Sequence, residues 1–338
     1  MSNKIVRSIA YFVKEVDDST KKKVEELIRI LEENNFEVQT KRICSPYKKC
    51  TDLEKAVNDP NYEIGIGGVD TAQTLELLDD FLEVKSVHFN LELGSKDLSE
   101  KHVDILFKLI EKRPDLTFNF AYAFNSLPSS PFFPSTNYEK DGFSIGLQPT
   151  DLAEECYVLE EWFGKMLEVW EEIIDLFGDR SDFLGIDSSI APFESGKGSF
   201  INFIKRLGYN FPDSTTTDIY LRTSKFIKES NPKPIGLCGL MFPCLEDFDL
   251  TEEYEKGEFS IERNIYLSLH SGLGIDTYPI GVDEDRARVL DILMNVQGFS
   301  NKYKKPLAVR FSSDGKAKIG EKTDFQNEYL KDVIVRAL

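Results

Sequence analysis

Polar residues capable of chemistry recur in this chain at the points where apolar runs end. Asp187 and Ser189 close "FLGIDSSI", Glu246 and Asp247 follow "IGLCGLMFPCL", Asp276 stands in "IDTYPI" and Arg310 in "LAVRF". Carboxylates at such positions exchange protons with a substrate or hold a hard divalent cation such as Mg²⁺ or Ca²⁺. Asp187, Glu246, Asp247 and Asp276 leave both chemistries open. An arginine inside an apolar strand needs a partner, either a structural carboxylate or an anionic ligand. In "ESGKGSF", Lys197 and the free N–H groups of a turn that opens a helix suit a carboxylate or phosphate. A capping turn in which Ser199 satisfies the helix start accounts for the same residues.

Better-known motifs fail on spacing. A phosphate-binding P-loop needs Ser or Thr after its lysine and a glycine five residues before its second glycine, but Gly198 follows Lys197 and Ala191 takes the first-glycine place. Asp187-Ser188-Ser189-Ile190 lacks the flanking glycines of a nucleophile elbow. "EIGIGGVDTA" is G-x-G-G and is not the first strand-to-helix turn, so it is a weak dinucleotide signal. The cysteines at 44, 50, 156, 238 and 244 are odd in number, and the C-x5-C pairs have no neighbouring histidine, as buried inert thiols would. Of the three histidines, His102 lies in a charged helix and is expected exposed, His270 ends a helix, and only His88 is near a strand end. So few histidines argue against a His-rich zinc site or a Ser-His-Asp triad.

The elements that must position these residues alternate along the 338 residues. "IVRSIAYFV", "FEVQTKRI", "YEIGIGGV", "SVHFNLEL", "TFNFAYAF", "FSIGLQ", "FLGIDSSI", "IGLCGLMF", "IDTYPI" and "LAVRF" read as strands, with amphipathic helices between most of them. The longest helix is predicted over 151–178, and a long loop spans about 125–142. This rhythm predicts α/β architecture in one domain, 1–338, with parallel strands covered by helices as an open sheet or a barrel. In either case ligands gather at the C-terminal strand ends. A net charge of −18 disfavours nucleic acid and anionic membranes. No apolar run approaches the roughly 20 residues of a membrane span, and the start of the chain carries no signal-peptide core, so a cytoplasmic location is expected.

Five strings, in order, resemble the domain of unknown function 711 family, also called uncharacterised protein family 0210: "GIDSSIAPFESGKGSFINFIKRLG", "STTTDIYL", "GLCGLMFPCLEDFDL", "SLHSGLGIDTYPIG" and "PLAVRF". The resemblance implies a fold like pyruvate formate-lyase and other glycyl radical enzymes, a large barrel of two parallel half-barrels surrounded by helices. It does not imply their chemistry, because "FSSDGKAKIGEKTDF" after Arg310 contains no glycyl radical motif. Family members carry a histidine where this chain has Tyr138. Carried over by motif, the resemblance marks Asp187, Ser189, Thr215, Thr216, Glu246, Asp247, Asp276 and Arg310.

Together these readings lead to a pocket for a small anionic metabolite. Asp187, Glu246 and Asp276 would serve as acid, base or metal ligands, and Ser189, Lys197, Thr215, Thr216, Asp247 and Arg310 would bind substrate. The expected function is a non-radical enzyme acting on a small carboxylate or phosphate compound at the barrel mouth. The alternative is a non-catalytic ligand-binding or regulatory protein on a retired enzyme fold. A cofactor is not specified beyond a divalent metal left open, and a homodimer is the default assembly.

Overall fold

The computed structural model of the chain describes residues 4–46, 48–125 and 127–338. Tyr47, within the Cys44–Cys50 loop, and Ser126, at the head of the long loop, lie outside the described residues, as do the first three positions. The first half comprises β1 (Lys4–Phe12), α1 (Asp18–Glu33), β2 (Phe36–Val38), β3 (Lys41–Cys44), α2 (Cys50–Val57), β4 (Tyr62–Val69), α3 (Thr71–Phe81), β5 (Val87–Glu92), α4 (Glu100–Lys112) and β6 (Phe120–Phe124). The second half begins with β7 (Gly142–Leu147), α5 (Leu159–Phe177), β8 (Phe183–Asp187), α6 (Phe200–Arg206), α7 (Phe211–Ser214) and α8 (Ile219–Glu229). It continues through α9 (Phe248–Glu255), α10 (Ile261–His270), β9 (Gly274–Pro279), α11 (Arg286–Tyr303) and β10 (Leu307–Ser312).

All ten strands form one sheet in the order β8-β7-β1-β3-β4-β5-β6-β10-β9, with β2 paired beside the start of β1. Strands β1, β3, β4, β5 and β6 run parallel, as helical crossovers require. The pairs β7–β8 and β9–β10 are also parallel, and the two halves meet antiparallel at β1–β7 and β6–β10. The sheet is not a closed barrel. Among the described residues its edges, β8 and β9, are linked by isolated bridges through the segment 234–243: Ile186 to Pro234, Ile190 to Leu240, Leu240 to Gly272 and Pro243 to Asp276. "IGLCGLMF" therefore departs from its predicted strand. Positive φ at Gly236 (77°) and Cys238 (45°) breaks the extended path, and the Asp187 carboxylate takes the Leu237 and Cys238 N–H groups that a ladder would use.

The two faces of the sheet differ because side chains alternate along a strand. On the helix side, Ile9, Ile43, Ile64, Phe89, Tyr122, Phe143 and Val309 join the main core with the apolar stripes of the helices. The opposite face carries smaller or polar residues, and the long loop fills it. Residues 127–134 are almost all buried. Phe133 packs with Ala10, Phe12, Cys44 and Leu184, and a Cβ on Gly65 would stand 3.0 Å from its ring. A buried loop must satisfy its backbone. Asn90 Nδ2 donates to the Pro134 and Thr136 carbonyls at 2.8 Å each, and Ser8 Oγ donates to the Pro131 carbonyl at 2.7 Å.

Local signals account for the helix starts. Asp17, Asp70, Ser199, Asn210, Asp247, Ser260 and Asp285 each accept a backbone N–H as N-cap. The helix predicted over 151–178 is shorter, Leu159–Phe177, preceded by a single 3-10 turn. His102 is buried, not exposed: its ring folds back onto Ser99 at the start of α4, and Nε2 meets Thr71 Oγ1 at 3.2 Å. All five cysteines are free and buried.

Asp187 is a structural hub. Its carboxylate accepts Ser130 Oγ (2.7 Å), Ser189 Oγ (2.6 Å) and N (3.0 Å), Leu237 N (3.1 Å) and Cys238 N (3.2 Å). It thereby ties β8 to the buried loop and to the bridging segment. Asp187→Ala would orphan several buried donors, so its unfolding free energy in urea should fall by about 3–5 kcal/mol, against about 1 kcal/mol for Ser130→Ala.

Candidate functional site

A cavity lies on the loop-filled side of the sheet, where β1, β3, β4, β5, β9 and β10 contribute Arg7, Arg42, Glu63, His88, Asp276 and Arg310. The turn before α9 adds Glu246, and Phe118, Phe133, Met241, Leu273 and Ile275 supply apolar wall. It offers about 110 Å³ to the centres of water-sized molecules. One water needs only roughly 10–15 Å³ on that measure, so there is room for a small metabolite.

Two sheet irregularities aim the cations. Between β1 and β7 the register passes from Val6–Leu147 to Ser8–Gly146, which leaves Arg7 as the extra residue. Between β9 and β10 it passes from Val309–Ile275 to Phe311–Tyr278, so Arg310 stands opposite both Asp276 and Thr277. Thr277 takes φ of 40° there, a conformation a β-branched residue rarely adopts. Bulges of this kind turn side chains away from the simple alternation.

Most of the charge is paired. Arg310 donates from Nε to Asp276 and from Nη2 to Glu246, both at 2.7 Å, and from Nη1 to the Phe118 carbonyl at 3.2 Å. Arg7 reaches the other Glu246 oxygen at 3.4 Å and stacks over Phe193 at 4.0 Å. Burial lowers the Arg310 guanidinium, but Asp276 and Glu246 outweigh it and hold the group above its ordinary value. Burial also lifts the Glu246 carboxyl above the usual carboxylate range, against the pull of Arg310 and Arg7.

The remaining pair is incomplete. His88 is 4% exposed, and its Nε2 lies 2.7 Å from a Glu63 oxygen. Burial holds the imidazole below its ordinary value although Glu63 pulls the other way. Burial would raise Glu63, but His88 and Arg42 bring it below the usual range. At neutral pH a carboxylate therefore faces a neutral imidazole, which assigns the ring proton to Nε2 and leaves Nδ1 as a bare acceptor. Nδ1 has no partner among the described residues. Nor do the shielded Nε and Nη1 of Arg42, whose guanidinium lies over the Phe133 ring at 5.1 Å. Burial pulls Arg42 down to about 10, so it stays cationic at neutral pH.

A family model described as "Uncharacterised ACR (DUF711)" matches residues 108–326. The chain belongs to this family. No curated protein matches it. The family span contains Phe133, Glu246, Asp276 and Arg310, whereas Arg7, Arg42, Glu63 and His88 come from strands before it.

Of the residues marked in the sequence, Glu246, Asp276 and Arg310 meet in the cavity and the others do not line it. Asp187 and Ser189 are bonded to each other, and Ser189 Oγ also accepts Gly239 N at 3.2 Å. Asp247 is fully buried and accepts Leu250 N and Phe200 N at 3.2 and 3.1 Å, as burial pushes its carboxyl up to about 7. Thr215 and Thr216 bond back to the Pro212 and Asp213 carbonyls, and Lys197 is exposed. Among the described residues no group of His, Cys, Asp and Glu has metal-site geometry. Arg7, Arg42 and Glu63 carry no motif that marks them, although each is a charged residue within a strand, the signal that singles out Arg310.

Arg310→Met would strand the buried Glu246 carboxylate and the partly buried Asp276 and should cost about 3–5 kcal/mol in urea unfolding. A buried imidazole with a depressed value adds stability that is present above about pH 6.5 and lost as pH falls through the folded value. Unfolding free energy should therefore decline on acidification below about pH 6.5, and His88→Asn should flatten part of that decline.

Proposed function

We propose that the cavity binds a small anionic metabolite, a carboxylate or phosphate compound, and that the protein is a non-radical enzyme acting on it. One observation carries this reading: Arg42 keeps two shielded N–H positions without an acceptor among the described residues, in the wall of a cavity with room for a ligand. A buried donor left unpaired costs about 1–3 kcal/mol, which an incoming anion removes. The neighbouring His88–Glu63 pair supplies a titratable group of the kind proton-transfer enzymes use. Glu246, Asp276 and Arg310 form the fixed ionic wall beside it.

The wider proposal keeps the likeness to the glycyl radical enzyme fold, without the radical, and is supported by two blocks of parallel strands meeting antiparallel at both junctions. A cytoplasmic location and a homodimer belong to the same proposal. No described helix is long and apolar enough to cross a membrane.

Thermal unfolding with acetate, succinate and inorganic phosphate tests the binding reading. At a hundredfold excess over Kd a ligand stabilises the native state by about 2.7 kcal/mol. At least one of these anions should raise Tm in the parent protein and leave Arg42→Met unmoved. No shift with any of them, or equal shifts in both proteins, would refute it.

A further inference from the structure

We infer that the occupant is a small monocarboxylate, and that His88, oriented by Glu63, takes up a proton at Nδ1 as this anion binds beside Arg42. This rests on the binding reading above and narrows it in charge, size and protonation.

Charge balance selects the monoanion. Arg7, Arg42 and Arg310 face Glu63, Glu246 and Asp276 around the cavity, three cations against three carboxylates. Arg7 and Arg310 direct their charge-assisted bonds to Glu246 and Asp276, and Glu63 is bonded to His88. One anionic charge can pair with Arg42. A dianion such as hydrogen phosphate would bring a second charge into a wall already occupied by three carboxylates, with a large desolvation cost and no free cation among the described lining residues. The apolar wall of Phe118, Phe133, Leu273 and Ile275 suits a short hydrocarbon body behind one charged end.

Proton uptake follows from the groups that face the imidazole. Glu63, from β4, holds Nε2 and favours a cationic ring. Arg42, from β3, and Arg310, from β10, disfavour it, and the Phe133 ring packs at 5.9 Å from the buried loop. A carboxylate bound to Arg42 cancels the larger of the two repulsions and places a second anion beside the ring. The balance then moves toward imidazolium, with Nε2–H on Glu63 and Nδ1–H available to the ligand. The proton comes from a hydronium ion or buffer acid: its bond to that donor breaks as the Nδ1–H bond forms, and no bond of the ligand changes. The bound state is a carboxylate facing a protonated histidine, the arrangement from which a general acid can act.

Isothermal titration of propanoate in two buffers of different ionisation enthalpy measures this proton directly. Near pH 7 the parent protein should take up a measurable fraction of a proton, up to about one, per ligand bound. Between the free-state and bound-state values of His88, Kd should rise roughly tenfold per pH unit, and above the bound-state value it should level off. His88→Asn should bind propanoate more weakly than the parent, with no uptake and a flat pH profile, and phosphate should bind the parent at least about tenfold more weakly than propanoate. Binding without uptake, or the same uptake in His88→Asn, overturns the proton assignment while leaving the binding reading intact. Phosphate binding as tightly as propanoate overturns the monocarboxylate assignment. No binding by any of these anions defeats the function proposed above and this inference with it.

Discussion

A guanidinium withdrawn from water must be met by carboxylates, and this requirement governs the inner side of the sheet. Arg310 is 7% exposed, and its two carboxylate partners come from different elements. Asp276 belongs to β9, and Glu246 to the turn that leads into α9. Through Glu246 the network continues to Arg7 on β1, so the ion pairs cross from one half of the sheet to the other. The net contribution of such a network to stability is small, because desolvation offsets most of the attraction; losing any one member is costly. The network therefore acts mainly as a constraint on geometry, holding β1, β9, β10 and the 244–247 turn around one cavity.

With those charges fixed, what is left over becomes informative. The chain satisfies Glu246, Asp276, Arg7 and Arg310 with one another, yet leaves the shielded atoms of Arg42 and Nδ1 of His88 without partners among the described residues. Buried polar groups are rarely left in this state unless something else completes them. The unpaired groups are a cation and a basic nitrogen, which is a complement for an acid. The same logic separates Asp187 from this chemistry. Its oxygens are occupied by hydroxyl and backbone donors, so it holds the bridging segment in place.

The fold was legible in the sequence where periodicity carried it. Nine of the ten predicted strands fall on the sheet and between them cover all ten of its strands, "FEVQTKRI" being split into β2 and β3 at Gln39 and Thr40. The open edge was not legible. "IGLCGLMF" has strand composition, and only the Asp187 carboxylate and the positive φ at Gly236 and Cys238 divert it into isolated bridges. Half of the site was foreseen from polar residues at strand ends: Glu246, Asp276 and Arg310. The other half comes from Arg7, Arg42, Glu63 and His88, each a polar residue on the loop-filled side of an N-terminal strand. Their convergence depends on strand order and on the β1 bulge, neither of which a linear pattern reveals.

The most direct measurement of the central claim is a crystal structure of the protein with propanoate bound. The expected result is a carboxylate in the cavity, with an oxygen about 2.7–2.9 Å from Arg42 and the acid group in contact with His88 Nδ1. A cavity free of the ligand, with propanoate seated only at the exposed Lys197 turn or with Arg42 closed onto Glu63, would contradict it.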